Sequence, residues 1–291
     1  MLAGVIMVAA AAASWGTWSL FLRPAGLPVG VTTPLLFAVM ALVALPGVLR
    51  TKPVTWNRRI VGLLVLNALF DAGNIVTFFG AIAKTTVAIA VLTHYAAPIF
   101  ITLIAPYIDR EADGRLRAPT PGARPAAAVA LVGLVIIMAP WSEPVHGAFA
   151  GGALGLASAV CYCGNSFCVR RLAETIGAPR QMTYHSAIAV ALTLPLLALA
   201  PLHQVTMHGI LIVTAGSVTI GAISGMVYAI GLVRIGAARS AVLTFAEPIV
   251  AVIVGVLAWG EAVAPSALVG GALVLGAGIW VTRGANTPTP D

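Results

Sequence analysis

The sequence predicts an all-α membrane protein: ten transmembrane helices arranged as two inverted five-helix repeats, with both termini cytoplasmic. Three observations carry this. The 291-residue chain is 60% hydrophobic and only 9% charged, where ordinary globular chains run near 45–50% apolar and roughly 25% charged. The apolar residues fall in ten continuous runs. The basic residues gather in the gaps on one side. So few charges cannot clothe a soluble fold of this size, and disorder needs far more polarity. The net charge of +7 does not indicate a nucleic-acid partner, because the basic residues lie between apolar runs rather than on one face.

A spanning helix needs about 20 mostly apolar residues. Breaks at charges, prolines and glycines place the spans at 2–22, 31–49, 59–82, 85–108, 124–140, 149–169, 181–200, 208–232, 238–259 and 265–282. The fifth is short and gains length if Trp141 joins it. Each run is continuously apolar rather than alternating, which favours helices over a barrel. The first run lacks a basic start and continues through Trp15 and Trp18 to Leu22, so it reads as a span and not as a cleaved signal.

With the N-terminus inside, fourteen of the sixteen basic residues are cytoplasmic, and only Arg23 and Lys84 are outside. That is a strong positive-inside bias. Ten spans return the C-terminus to the same side. The stretch Asp109–Arg124 reads as a flexible cytoplasmic connection and Ala285–Asp291 as a disordered tail. The expected location is the bacterial inner membrane, as a multi-pass protein in contact with the lipid bilayer.

Two halves, 1–148 and 149–291, match at a shift of about 150. His94-Tyr95-Ala96-Ala97-Pro98 lies over Thr244-Phe245-Ala246-Glu247-Pro248, and Lys84 over Arg234. Span three carries Asn67, Asp71, Asn74 and Phe78; span eight carries Ser217, Gly221, Ser224 and Tyr228 at the same steps of i, i+4, i+7 and i+11. Each set reads as one stripe on one helix face. Trp15, Ser19 and Arg23 match Tyr162, Ser166 and Arg170. Five spans per half force opposite topologies, an arrangement of secondary transporters whose site lies at the midplane between the repeats.

Ionisable residues at membrane depth usually face a cavity or a partner. Asp71, His94 and Glu247 sit near span centres. Asp71 with Asn67 and Asn74 lines a substrate cavity or forms a structural network. Pro98 and Pro248 remove the helical donors of the His94 and Thr244 carbonyls. Those carbonyls bind substrate, accept a neighbour's donor, or mark two hinges. Trp15, Tyr95, Tyr162, Tyr228 and Phe78, with Asn165, offer flat rings beside hydrogen-bonding groups, which suits an aromatic or apolar solute. Tyr184 and His185 read as packing. Cys161, Cys163 and Cys168 lack zinc spacing and read as apolar packing. The glycines from Gly270 to Gly278 suit close helix contact within the chain or in a dimer.

Catalytic signals are weak. Gly221-Ala222-Ile223-Ser224-Gly225 is faintly similar to an intramembrane serine-protease loop but lacks its glycine spacing. No metal-ligand pair, phosphate loop or dinucleotide fingerprint is present. No cofactor, no metal and no enzyme activity are expected.

Ala246-Glu247-Pro248-Ile249, then Gly260-Glu261, then Gly270-Gly271-Ala272-Leu273-Val274-Leu275-Gly276-Ala277-Gly278, together with Trp15-Gly16, resemble the drug/metabolite transporter superfamily in its ten-helix EamA-like branch. The first half departs from the pattern, with Ala97 opposite Glu247. Within the branch the chain looks like the YddG-type aromatic amino acid exporters. The resemblance implies a central cavity lined by spans one, three, four, six, eight and nine. The reading is a secondary transporter exporting amino acids, aromatic ones favoured, by alternating access. Its substrate-binding candidates are Trp15, Asn67, Asp71, Asn74, Phe78, His94, Tyr95, Tyr162, Asn165, Ser217, Tyr228, Thr244 and Glu247, with Pro98 and Pro248 as hinges. The alternatives are an exporter of another small metabolite or hydrophobic compound, and an intramembrane enzyme using Ser224 or Asp71. The expected assembly is a monomer or homodimer.

Overall fold

The computed structural model describes residues 2–50, 53–108, 122–138, 147–235, 243–244 and 246–284. Every element named among them is a helix. Span one is α1 (Leu2–Trp15) followed by α2 (Ser19–Ala25), and span two is α3 (Val29–Leu49). Span three is α4 (Arg58–Lys84). Span four is α5 (Val87–His94) and α6 (Ala97–Ile108), and span five is α7 (Ala123–Met138). Span six is α8 (Ala148–Ile176), and span seven is α9 (Ala178–Thr193) with the 3-10 turn Leu194–Leu199. Span eight is α10 (Met207–Gly216), a π-helical stretch Ser217–Ile223 and α11 (Ser224–Ile235). Spans nine and ten are α12 (Ala246–Trp259) and α13 (Pro265–Gly284).

Six of these spans are long and apolar enough to cross a membrane: one, two, three, six, seven and eight. The apolar helices of spans four, nine and ten are shorter as described, and α7 runs 16 residues. Span four is divided by the turn at Tyr95-Ala96. The expected start of span nine, the connection 109–121, Trp141 and the tail 285–291 lie outside the described residues.

Helix starts obey local chemistry. Asn57 accepts from the amide of Ile60 at 2.9 Å to open α4, Thr86 from Ile89 at 3.3 Å to open α5, and Thr206 from Gly209 at 3.0 Å to open α10. Each satisfies an amide that the first helical turn leaves without a carbonyl.

The packing is organised in pairs. Span one lies on span eight, two on seven, three on six and five on ten, while span four packs chiefly on span six and span nine on span one, with a smaller contact between four and nine. Moving every partner five spans along the chain reproduces the same set of pairs. Close approach uses the missing side chain of glycine. A Cβ at Gly16 would stand 2.5 Å from the carbonyl oxygen of Glu247, and one at Gly133 would stand 2.7 Å from that of Gly270. The glycine-rich start of α13 is thus engaged within the chain, on α7, and Gly271 sits against Leu92 of α5.

Span eight differs from its sequence reading. A regular helix would keep Ser217, Gly221, Ser224 and Tyr228 on one face. The π-helical stretch takes more residues per turn and rotates the helix beyond it. Gly221 consequently packs on Leu36 and Met40 of α3, while Ser224 and Tyr228 meet Ser14 and Trp15 of α1. The Ser217 hydroxyl donates back to the Val213 carbonyl of its own helix at 2.7 Å.

Candidate functional site

Three spans are broken at one level of the bundle. Span one leaves regular α-helical winding at Gly16–Trp18 and span four at Tyr95-Ala96, and a turn stands at Thr244, two residues before α12. The second and third breaks fall beside Pro98 and Pro248, where sequence placed the hinges. Irregular backbone inside a membrane is tolerated where protein or a cavity supplies its hydrogen bonds. Here protein does so at Thr244. The Tyr95 hydroxyl donates to the Thr244 carbonyl at 2.6 Å, and the Glu247 amide donates to the same carbonyl at 3.0 Å. Tyr95 also reaches the Glu247 carboxylate, with its hydroxyl 2.9 Å from Oε2.

An aromatic cluster grows from this point. The His94 ring stands 4.9 Å from Phe78, 5.2 Å from Tyr162 and 5.8 Å from Tyr95, centroid to centroid. Tyr228 meets Trp15 at 4.9 Å. The phenols of Tyr95, Tyr162 and Tyr228 lie within electrostatic reach of Glu247. His94 is oriented by a relay. Ser158 donates to Asn74 Oδ1 at 2.6 Å, so its hydroxyl accepts from His94 Nδ1 at 2.8 Å. Nδ1 therefore carries a proton and Nε2 is the remaining polar atom of the ring. Phe78, His94, Tyr95 and Glu247 are buried, whereas Trp15, Tyr162 and Tyr228 are half-buried.

A second cluster lies one to two turns nearer the end of the bundle that holds most basic residues. Asn67 Nδ2 donates to Asn165 Oδ1, and Asn165 Nδ2 donates to Asp71 Oδ1 at 3.0 Å. Gln181 Nε2 donates to Asn67 Oδ1 at 2.7 Å. His185 closes the ring, with Nε2 2.9 Å from Asp71 Oδ2 and Nδ1 2.9 Å from the Gln181 carbonyl. This joins α4, α8 and α9. Asp71 thus has a protein partner at each oxygen, and His185 is its hydrogen-bond partner rather than a packing residue. Gln181 and His185, four apart on one helix, were the available signal; span seven carried no other reason to look inward.

At the opposite end, Arg23 pairs with Glu261 at 2.5 Å and lies over the Trp259 ring at 5.2 Å. Glu261 also accepts from the Val87 amide at 3.0 Å, and Trp259 donates to Ser19 at 3.0 Å. These contacts draw α2, α5 and α12 together. A cleft of about 330 Å³ opens beside them, lined by Leu22, Arg23, Val29, Thr32, Phe79 and Gln204 among others.

The span-three stripe therefore stays on one face, with each member turned to α8, α9 or α5. The sequence candidates separate into two groups. Asn74, Phe78, His94, Tyr95, Tyr162, Thr244 and Glu247 come together, with Trp15 and Tyr228 adjoining. Asn67, Asp71 and Asn165 belong to the ring with Gln181 and His185. Ser217 joins neither group through its hydroxyl. Ser158, the centre of the His94 relay, had no sequence signal beyond a serine in an apolar run.

Ser158, Tyr162 and Glu247 lie in the half that carries a family likeness. Residues 149–283 match the EamA-like transporter family. The whole chain is similar to an uncharacterized transporter of Archaeoglobus fulgidus, 25% identical over 284 residues, which covers 96% of this chain and 95% of that protein. A crystal structure of another protein shares the fold, with a TM-score of 0.66 at 23% identity over 96% of this chain and 98% of that one. The likeness of residues 149–283 to the EamA-like transporter family, the transporter relative and the apolar helices together point to a multi-pass membrane transporter.

Proposed function

We propose that this protein is a secondary carrier that exports amino acids, aromatic ones favoured, across a bacterial inner membrane. It works by alternating access of two inverted five-helix halves about a midplane site. The observation that carries the reading is the aromatic cluster of Phe78, His94, Tyr95 and Tyr162, with Glu247 beside it, at the level where spans one, four and nine break.

Each part has a task. The rings, with Trp15 and Tyr228, hold a flat side chain by area and by edge-to-face contact. Glu247 meets the ammonium group. Among the described residues only its Oε2 has a hydrogen-bond partner, the Tyr95 hydroxyl. His94 Nε2 and Asn74 fix orientation. Asp71 drops out as the ammonium partner, because the ring of amides and His185 already occupies it. The breaks at Tyr95-Ala96 and Thr244 are the hinges, and Tyr95 bridges them across the two halves. The pairing of spans one with eight and three with six supports a rocking motion, since five-span exchange maps one pair onto the other. Glu247 favours a substrate with a cationic group over the alternative of an uncharged hydrophobic compound.

The experiment is uptake of labelled phenylalanine, tryptophan, threonine and methionine into liposomes holding the purified protein. Saturable uptake that unlabelled aromatic amino acids compete away is expected. Absence of uptake by an oriented, folded preparation overturns the amino acid reading.

A further inference from the structure

The ring around Asp71 permits a count of its protons. His185 Nδ1 stands 2.9 Å from the Gln181 carbonyl oxygen. A carbonyl has no proton to give, so Nδ1 carries one. The Gln181 side-chain nitrogen, which has a second N–H beside the one given to Asn67, is farther from Nδ1, at 3.2 Å. Giving it the Nδ1 contact instead would set an imidazole lone pair against the carbonyl. His185 Nε2 stands 2.9 Å from Asp71 Oδ2, and an ionised carboxylate has no proton either. One further proton must therefore lie between Nε2 and Oδ2. Whichever atom holds it, the pair as a whole is neutral.

The rest of the ring is oriented to match. Gln181 donates to Asn67, Asn67 to Asn165, and Asn165 to Asp71. Every side-chain donor in the series points along one path that ends on the Asp71 carboxylate. Asp71, His185, Asn67 and Gln181 are all buried. Removing the shared proton leaves two lone pairs facing at 2.9 Å and one uncompensated charge in a low dielectric, where such a group is most unfavourable. The main relief is separation of α9 from α4 and α8. The way in is short: His185 is seven residues into α9, about 10 Å from its first residue at 1.5 Å per residue.

Among the described residues the surroundings add few other titratable groups. From α8 come the phenol of Tyr162, within electrostatic reach of Asp71, and the thiol of Cys161, which packs on Gly73 of α4. On α9 the titratable groups are Arg180, buried nearer the helix start, and Tyr184, whose ring meets Trp56. The α3 neighbour is Phe37, edge-on to His185 at 6.4 Å. Tyr228 of α11 is turned to Trp15.

We propose that Asp71 and His185 form a proton-binding site, separate from the aromatic cluster, which supplies the carrier with its coupling ion. Loaded, it holds α9 on α4 and α8; unloaded, it releases α9. The coupling role rests on the carrier reading, whereas the proton site itself does not.

Two substrate-free measurements test the site. In weakly buffered detergent, protons released on raising the pH from about 5 to about 9, the range that brackets histidine titration, are counted with a pH indicator. Wild type is expected to release one proton per chain more than Asp71→Asn, whose amide can still accept from Asn165 and donate to a neutral imidazole. Equal counts overturn the site. Hydrogen exchange on the wild type, corrected for intrinsic rate, covers the case of a variant that does not fold. Protection of residues 178–193 should fall as the pH rises, and unchanged protection overturns the switch. In liposomes, an imposed proton gradient should then drive amino acid accumulation by wild type and not by Asp71→Asn. Saturable uptake that ignores the gradient overturns the coupling role. No uptake at all fails the amino acid reading alone and leaves the proton count to stand or fall by itself.

Discussion

The hydroxyl of Tyr95 donates at 2.6 Å to the backbone carbonyl of Thr244. Pro248, four residues on, has no N–H to offer that carbonyl. A side chain of span four thus reaches a carbonyl that a proline leaves short of its helical donor in span nine. The link also brings Tyr95 to Glu247. Anything that moves α5 relative to α12 must break or remake it.

Tyr95→Phe tests that link, since it keeps the ring and deletes the donor. Interhelical hydrogen bonds in membranes contribute on the order of 1 kcal/mol, so the variant should remain folded, with a small drop in melting temperature. Transport should fall several-fold. A wild-type rate with a lowered melting temperature would assign the hydroxyl to stability alone.

Trp15→Ala should raise the half-saturating concentration for an aromatic substrate several-fold while the protein stays monodisperse. Trp280→Ala, at a ring 49% exposed on α13, should leave it unchanged. Equal effects of the two substitutions would take the Trp15 ring out of the binding site.

Gly16→Ala places a methyl group 2.5 Å from the Glu247 carbonyl oxygen and 2.9 Å from the Ala251 nitrogen. Both are backbone atoms, so relief requires α1 and α12 to part. The overpacking range of about 1–3 kcal/mol applies, and transport should be largely lost. Gly62→Ala, with nothing within 4 Å, should be neutral or slightly stabilising. Thermal denaturation in detergent compares the two, and a Gly16→Ala protein as stable and active as wild type would refute the close approach.

Glu261→Gln removes the charge that holds Arg23 and leaves one oxygen able to accept from the Val87 amide. The end of the bundle at α2, α5 and α12 should open more often. Reaction of a Thr32→Cys reporter with an impermeant thiol reagent, in a background stripped of the three native cysteines, should quicken several-fold. An unchanged rate would show that this ion pair does not govern access from that end.

Much of the site was legible, though not its wiring. Pro98 and Pro248 drew attention because proline lacks a donor, and turns stand at Tyr95-Ala96 and Thr244 beside them, whereas Pro34 and Pro46 lie inside α3 without a break. Asn67, Asp71, Asn74 and Phe78 announced one buried face because α4 is a regular helix. The same reasoning failed on span eight, where π-helical winding from Ser217 to Ile223 turns Tyr228 to α1 while Gly221 faces α3. His185 was passed over because it sits in a polar stretch near a span end. Only the approach of α9 to α4 gives it Asp71. Ser158 had no signal at all, as one serine in an apolar helix looks like any other.

Sequence by itself determined that the chain is built of apolar membrane helices, and its prolines marked two of the places where they break. Those properties depend on the transfer of each segment from water and on each residue's own backbone chemistry, and so can be summed locally along the chain. Tertiary structure decided which polar group meets which: Tyr95 with Thr244 and Glu247, Asp71 with His185, and Arg23 with Glu261. In a chain this apolar, nearly any two helices can pack. The choice among partners falls to a few glycines that allow close approach and a few polar side chains that must find one another.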